Sequence, residues 1–113
     1  MWNTPTKKEL SEIPDLFENE NGNIYDAIVH MHFFLGGCDW YITEFDGKDT
    51  FYGFAILSND YFNAEWGYVS FKELKNAKVG FLEVDRDLHW EKRPVKKVKK
   101  IMKAVQLHRC VNC

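Results

Sequence analysis

No apolar run in this chain approaches the ~20 residues that a helix needs to cross a bilayer, so no membrane span is expected. The opening MWNTPTKKEL has no apolar stretch after its lysines, which argues against a secretory leader. Cysteine is scarce, and three of them cannot all pair within one chain. That odd number fits a reducing, cytoplasmic setting. Serine occurs only at Ser11, Ser58 and Ser70, none of them in a G-x-S-x-G elbow. G-x-x-x-x-G-K-[ST] and G-x-G-x-x-G are missing as well, which argues against serine nucleophilic catalysis, a P-loop and a dinucleotide fingerprint.

What the chain does contain is the composition of a packed body. With 113 residues, 45% of them hydrophobic and 16% aromatic, it reads as one domain spanning 1–113 rather than a disordered segment. The stretch Cys38–Ser70 holds Trp40 and Trp66, four of the five tyrosines and four of the nine phenylalanines. A sheet with covered faces uses such a density. The net charge of -2 hides a split. Positions 91–113 carry eight Lys or Arg against Glu91 alone, while positions 1–90 carry seven basic and sixteen acidic side chains. An acidic body with a basic tail is the result.

In chain order, Thr6-Lys7-Lys8-Glu9 has the capping-box form and predicts a short helix ending near Pro14, with Leu10, Ile13 and Leu16 inward. Ile28–Leu35 predicts a strand with Val29, Met31, Phe33 and Leu35 on one side and Ile28, His30, His32 and Phe34 on the other. Gly36-Gly37 supplies a tight reversal. Strands follow over Trp40–Asp46, Phe51–Leu57 and Ala64–Val69, with a hairpin at Asp46-Gly47. Gly53, inside the third, predicts a bulge or a close backbone approach. Ser70-Phe71-Lys72-Glu73 repeats the capping box and opens a helix to about Asn76. Val79–Val84 predicts a fifth strand. From Val95, the residues Val95, Val98, Ile101, Met102 and Val105 recur at helical spacing among lysines. The fold class expected is α+β, with a four- to five-stranded, mainly antiparallel sheet, short helices and a basic C-terminal helix covering one face.

With the strands placed, a pattern emerges: Trp40, Thr43, Glu44 and Asp46, then Phe51, Gly53 and Phe54, then Glu65, Gly67, Tyr68, Ser70, Glu73 and Leu74, and finally Arg86, Asp87 and Trp90. From about Lys7 to Pro94 this order resembles the bacterial DUF2958 family. The resemblance implies a small protein frequently encoded on plasmids, phages and integrative elements, with DNA maintenance or counter-defence as its setting. It implies no catalytic residue, cofactor or substrate.

Several groups of residues are candidates for chemistry. Glu44, Asp46, Glu65, Glu83, Asp85 and Asp87 could gather at one sheet edge and hold a divalent cation for phosphodiester hydrolysis, with Lys48 or Arg86 nearby. Structural ion pairs imitate such sites, and the alternative is that Arg86 pairs with Glu44 or Glu65. His30 and His32 share a strand face, where a third ligand such as His89 would be needed for a metal. His108, Cys110 and Cys113 form half a zinc site, with Cys38 as a fourth ligand if the tail folds back. A fraying terminus explains them equally. Lys96, Lys97, Lys99, Lys100 and Lys103 coat the last helix and could bind phosphates, or could simply be solvated while the apolar stripe docks. Arg is scarce there and no aromatic interleaves the lysines, which argues against base reading. Tyr61 and Phe62 could anchor a partner or fold back over the sheet edge.

The reading is a non-enzymatic accessory protein of a mobile element that binds a protein or nucleoprotein partner, as in anti-CRISPR or anti-restriction counter-defence. Its acidic face would be Glu44, Asp46, Glu65, Asp85 and Asp87, and its basic helix the five lysines, with Arg86 in a structural ion pair. No cofactor or metal is expected. Two alternatives stand beside it: a metal-dependent hydrolase acting on nucleic acid, and direct nucleic-acid binding through the lysine helix.

Overall fold

The first helix, α1 (Lys7–Ser11), forms where the sequence puts it. Thr6 Oγ1 accepts from Glu9 N at 3.1 Å and Glu9 Oε1 accepts from Thr6 N at 3.0 Å, so two otherwise unpaired donors are satisfied reciprocally. The helix stops at Ser11, ahead of Pro14. The computed structural model describes residues 2–111, apart from the side chains of Val79, Cys110 and Val111.

After a short 3-10 turn, Ile24–Asp26, the strand expected over 28–35 divides at His30 into β1 (Ile28–Val29) and β2 (Met31–Leu35). The division has a pairing cause: Ile28 and Val29 lie opposite Pro94 and Arg93, whereas the residues from Met31 onward pair with the following strand. Val29 therefore packs on one side of the sheet and Met31, Phe33 and Leu35 on the other, which corrects the expectation that all four share a side.

Strands β3 (Cys38–Phe45), β4 (Thr50–Ile56) and β5 (Glu65–Ser70) follow as an antiparallel meander. At the β3–β4 turn, Asp46 Oδ1 accepts the N–H groups of Lys48, Asp49 and Thr50 at 2.8–3.0 Å. Thr43 stands unpaired between the Ile42–Gly53 and Glu44–Tyr52 pairs, a bulge whose Thr43 hydroxyl donates to Tyr52 O at 3.2 Å. Opposite it, a Cβ on Gly53 would run into the carbonyl of Tyr41. Both consequences of that glycine, bulge and close approach, are present.

Helix α2 (Phe71–Asn76) is capped by Ser70, whose Oγ accepts from Glu73 N at 3.2 Å. The segment expected as a fifth strand is a small hairpin, β6 (Lys78–Val79) with β7 (Leu82–Glu83). Gly80, at φ 61°, turns the chain there. Only past buried Val84 does β8 (Asp85–Arg86) reach β2 and become the fifth strand. The order is β5-β4-β3-β2-β8. The fold is α+β. Strand β9 (Arg93–Pro94) pairs with β1, a 3-10 turn spans Val95–Lys97, and α3 (Lys99–Val111) closes the chain.

Two cores lie on the two faces of the sheet. Helix α3 covers one of them, where Val95, Val98, Ile101 and Ala104 pack with Tyr41, Phe54 and Ile56. Against the other, Leu10, Ile13, Leu74 and Phe71 pack on Phe33, Ile42 and Phe51. Trp2 stacks on Phe33 with ring centroids 5.5 Å apart. Aliphatic side chains make up most of both layers, with Tyr41 and Phe54 among them on one face and Phe33, Phe45 and Phe51 on the other. Burying each large apolar side chain is worth roughly 2 kcal/mol.

Candidate functional site

The five carboxylates expected as one acidic face take separate posts. Glu44 is buried and spends its oxygens on a loop, accepting from Phe17 N at 3.0 Å and Asn19 N at 3.1 Å. Asp46 holds its own turn. The backbone N–H groups of Lys48 and Thr50 keep its carboxyl below the ordinary range. Glu65 stands exposed on β5 and Asp85 lies on β8. Those are opposite edges of the sheet, four strand spacings or about 19 Å apart. Asp87 Oδ2 lies 3.1 Å from His32 Nδ1. Among the described residues no group of three or more His, Cys, Asp or Glu is placed to hold a metal ion. Arg86 does form an ion pair, but with Glu9 rather than with Glu44 or Glu65. The sheet order explains this, because β8 edges the sheet beside α1, away from β5.

The lysines of the C-terminal region are partly spoken for. Lys96 Nζ lies 2.7 Å from Asp26 Oδ1 and Lys100 Nζ 3.0 Å from Asp39 Oδ2, while Lys103 sits 4.4 Å over the Tyr61 ring. Lys97 and Lys99 are exposed and have no ion pair among the described residues. Of the two loop aromatics, Tyr61 thus folds back against the helix side, and Phe62 remains exposed. The Cys110–Cys113 half-site lies outside the described residues. Cys38 is a free thiol whose sulfur accepts from Ser58 N at 3.4 Å.

One constellation escaped the sequence reading. His32 Nε2 lies 2.7 Å from Asp39 Oδ1, so its ring is held between two carboxylates, Asp39 and Asp87. Tyr41 stacks on it with centroids 4.5 Å apart, and Trp90 stands at 5.4 Å. Burial pushes the Asp39 carboxyl up, but hydrogen bonds from His32 and Lys100 outweigh that and leave it below its ordinary value. Both ring nitrogens are occupied and the side chain is largely covered, so this histidine ties β2, β3, α3 and the segment after β8 together. His30, by contrast, has a buried Nδ1 with no partner, and burial, then Lys92, lowers its pKa. The two histidines do not share a ligand site.

The concave surface that combines exposed aromatic rings with a buried charge lies at the other end of the sheet. A cleft of about 330 Å³ is lined by Phe17, Asn19, Glu20, Glu44, Tyr52 and Tyr68. Phe17 is 61% exposed and Tyr68 58% exposed, whereas Glu44 is 6% exposed. The Tyr52 and Tyr68 rings lie 5.1 Å apart across β4 and β5, and Trp66 stacks beyond Tyr52 at 5.8 Å. Phe17 is held at φ 70°, a left-handed conformation that a bulky residue rarely adopts. Its N–H bond to Glu44 fixes it there.

The sequence model of DUF2958, a protein of unknown function, matches residues 7–105, nearly the whole chain. The chain belongs to the DUF2958 family. No curated protein and no solved structure matches it. In this DUF2958 protein, then, the site rests on geometry alone. The Tyr52–Tyr68 pair was readable from strand alternation once β4 and β5 were set in register. The position of Phe17 had no signal in the sequence, since it depends on a carboxylate twenty-seven residues away.

Proposed function

We propose that this DUF2958 protein is a non-enzymatic interaction module that binds a protein or nucleoprotein partner through the aromatic cleft and the β5 edge. The exposure of Phe17 and Tyr68 beside a buried carboxylate carries this reading, because large aromatic rings held rigidly at the surface are what partner anchors are made of. Strand β5 edges the sheet, so its outward backbone groups are open to a partner segment. Service in the cytoplasm to a mobile element, in counter-defence against its host, is part of the same proposal.

The lysine-helix reading draws less support. Lys96, Lys100 and Lys103 contact the body, which leaves Lys97 and Lys99 as the two of those five exposed lysines without such a contact. The hydrolase reading has no assembled ligand set among the described residues.

Affinity capture from the bacterial host, with mass spectrometry, tests the proposal. A partner recovered after nuclease treatment, retained by Lys97→Glu/Lys99→Glu and lost with Tyr68→Ala, is the expected result. Recovery that nuclease abolishes, or that only the lysine variant loses, transfers the function to nucleic-acid binding.

A further inference from the structure

We infer that the Phe17–Tyr52–Tyr68 cleft is a receptor for one cationic side chain, an arginine on an exposed segment of the partner. This rests on the binding-module reading above and gives it a ligand.

The walls favour a cation. Phe17, Tyr52 and Tyr68 line the cleft, and the faces of aromatic rings carry negative potential that attracts ammonium and guanidinium groups. The inner wall carries the charge to meet it. Glu44 accepts one N–H on each carboxylate oxygen, from Phe17 and from Asn19. A carboxylate has about four acceptor positions, so two stay open. Among the described residues Glu44 has no basic side chain in an ion pair, unlike Glu9, Glu12, Asp26 and Asp39. Glu20, exposed at the rim, adds a second negative charge. The Tyr52 hydroxyl reports the same field: burial, then Tyr68 and the Glu44 charge, raise its pKa.

Arginine suits the site better than lysine. Its planar guanidinium stacks on rings and forks onto a carboxylate, and it sheds water more readily than an ammonium does. Asn19 lines the cleft as well, and among the described residues its buried Nδ2 has no hydrogen-bond partner.

The experiment is an NMR titration of the intact protein with a capped Gly-Arg-Gly peptide, against the citrulline peptide of the same shape without charge. The expected result is shifts confined to Phe17, Asn19, Tyr52 and Tyr68, with the citrulline peptide binding at least about tenfold more weakly. Phe17→Gly and Tyr68→Ala should each weaken the arginine peptide by a similar factor. Glu44→Gln should abolish the preference for arginine. Because that variant disturbs the loop, Phe17→Gly, whose backbone tolerates φ 70°, is the decisive one. Equal binding of the two peptides, equal binding of a Gly-Leu-Gly peptide, or shifts scattered over other carboxylates overturn the inference. If the arginine peptide fails while Tyr68→Ala still loses the captured partner, this inference falls and the binding module stands. If wild-type protein captures no partner, the module itself falls, whatever the peptide does.

Discussion

His32 lies nearly flat on Tyr41, the two rings 4.5 Å apart and 6° from parallel, while Asp39 and Asp87 face its two nitrogens from opposite sides. The ring thereby joins β2 to β3 and to the segment after β8. Asp39 is 3% exposed and accepts from His32 and from Lys100. Replacing Asp39 leaves the largely covered His32 without its Nε2 partner, while the half-exposed Lys100 stays in contact with water. Asp39→Asn should therefore cost about 1–2 kcal/mol in urea unfolding near neutrality. The pH dependence follows from the lowered carboxyl. Its stabilisation is present above the ordinary value of 3.8 and is lost as pH falls through the lower folded value. Asp39→Asn should flatten that part of the acid limb; an unchanged acid profile contradicts the role given to this carboxylate.

Gly53 and Gly67 face each other across β4 and β5 and should respond oppositely to a methyl group. At Gly53 the new Cβ meets the backbone of Tyr41 and Ile42, which cannot yield without breaking the ladder. Gly53→Ala should destabilise by on the order of 3 kcal/mol. At Gly67 no atom lies within 4 Å of the new Cβ. Gly67→Ala should change stability by less than about 0.5 kcal/mol, since it touches no packed neighbour. Thermal melts of the pair settle it.

Glu9 serves both its own helix cap and Arg86 on β8, linking α1 to the sheet edge. The hydrogen bond from Arg86, then that from the Thr6 backbone, lowers its pKa from 4.5 to about 2. The stability tied to it is complete above 4.5 and disappears as pH falls toward about 2. The carboxylate is more than a third exposed, so solvent screening limits the pair to about 1 kcal/mol. Glu9→Gln should remove that amount at neutral pH and nothing at the acid end. Denaturant midpoints at both ends measure it.

The three strands of the meander, the two helix caps, the Asp46-Gly47 turn and the bulge opposite Gly53 were legible because each is written within a few adjacent residues. The fifth strand was not, since 78–83 is a hairpin and Asp85–Arg86 takes that place. Hairpin register was legible as well: a two-residue turn at Gly36-Gly37 places His32 opposite Tyr41 and beside Asp39. The His32 tie could have been found by counting back from that turn. Three further features were not legible. The division at His30 depends on β9, more than sixty residues onward. The partner of Arg86 depends on which strand becomes the sheet edge. The cleft depends on Glu44 pulling in a loop that alternation says nothing about. Charge counts misled for a related reason, since carboxylates crowded in sequence end on opposite sheet edges or on backbone N–H groups.

Phe17 offers a test in which stability and binding move in opposite directions. A phenylalanine at φ 70° carries a strain of about 1–2 kcal/mol that glycine does not. Glycine in turn loses more chain entropy on folding, by roughly 0.5–1 kcal/mol. The ring is mostly exposed, so removing it forfeits little burial, and the N–H bond to Glu44 survives the change. The balance favours the variant: Phe17→Gly should match or exceed the wild type in stability, by up to about 1 kcal/mol. A residue kept only for the fold would then have no reason to be phenylalanine. If Phe17→Gly instead unfolds the protein at lower denaturant, the ring is a packing element and the cleft loses its outer wall as an anchor. If it melts as late as the wild type yet no longer captures the partner, the strained aromatic is there for recognition.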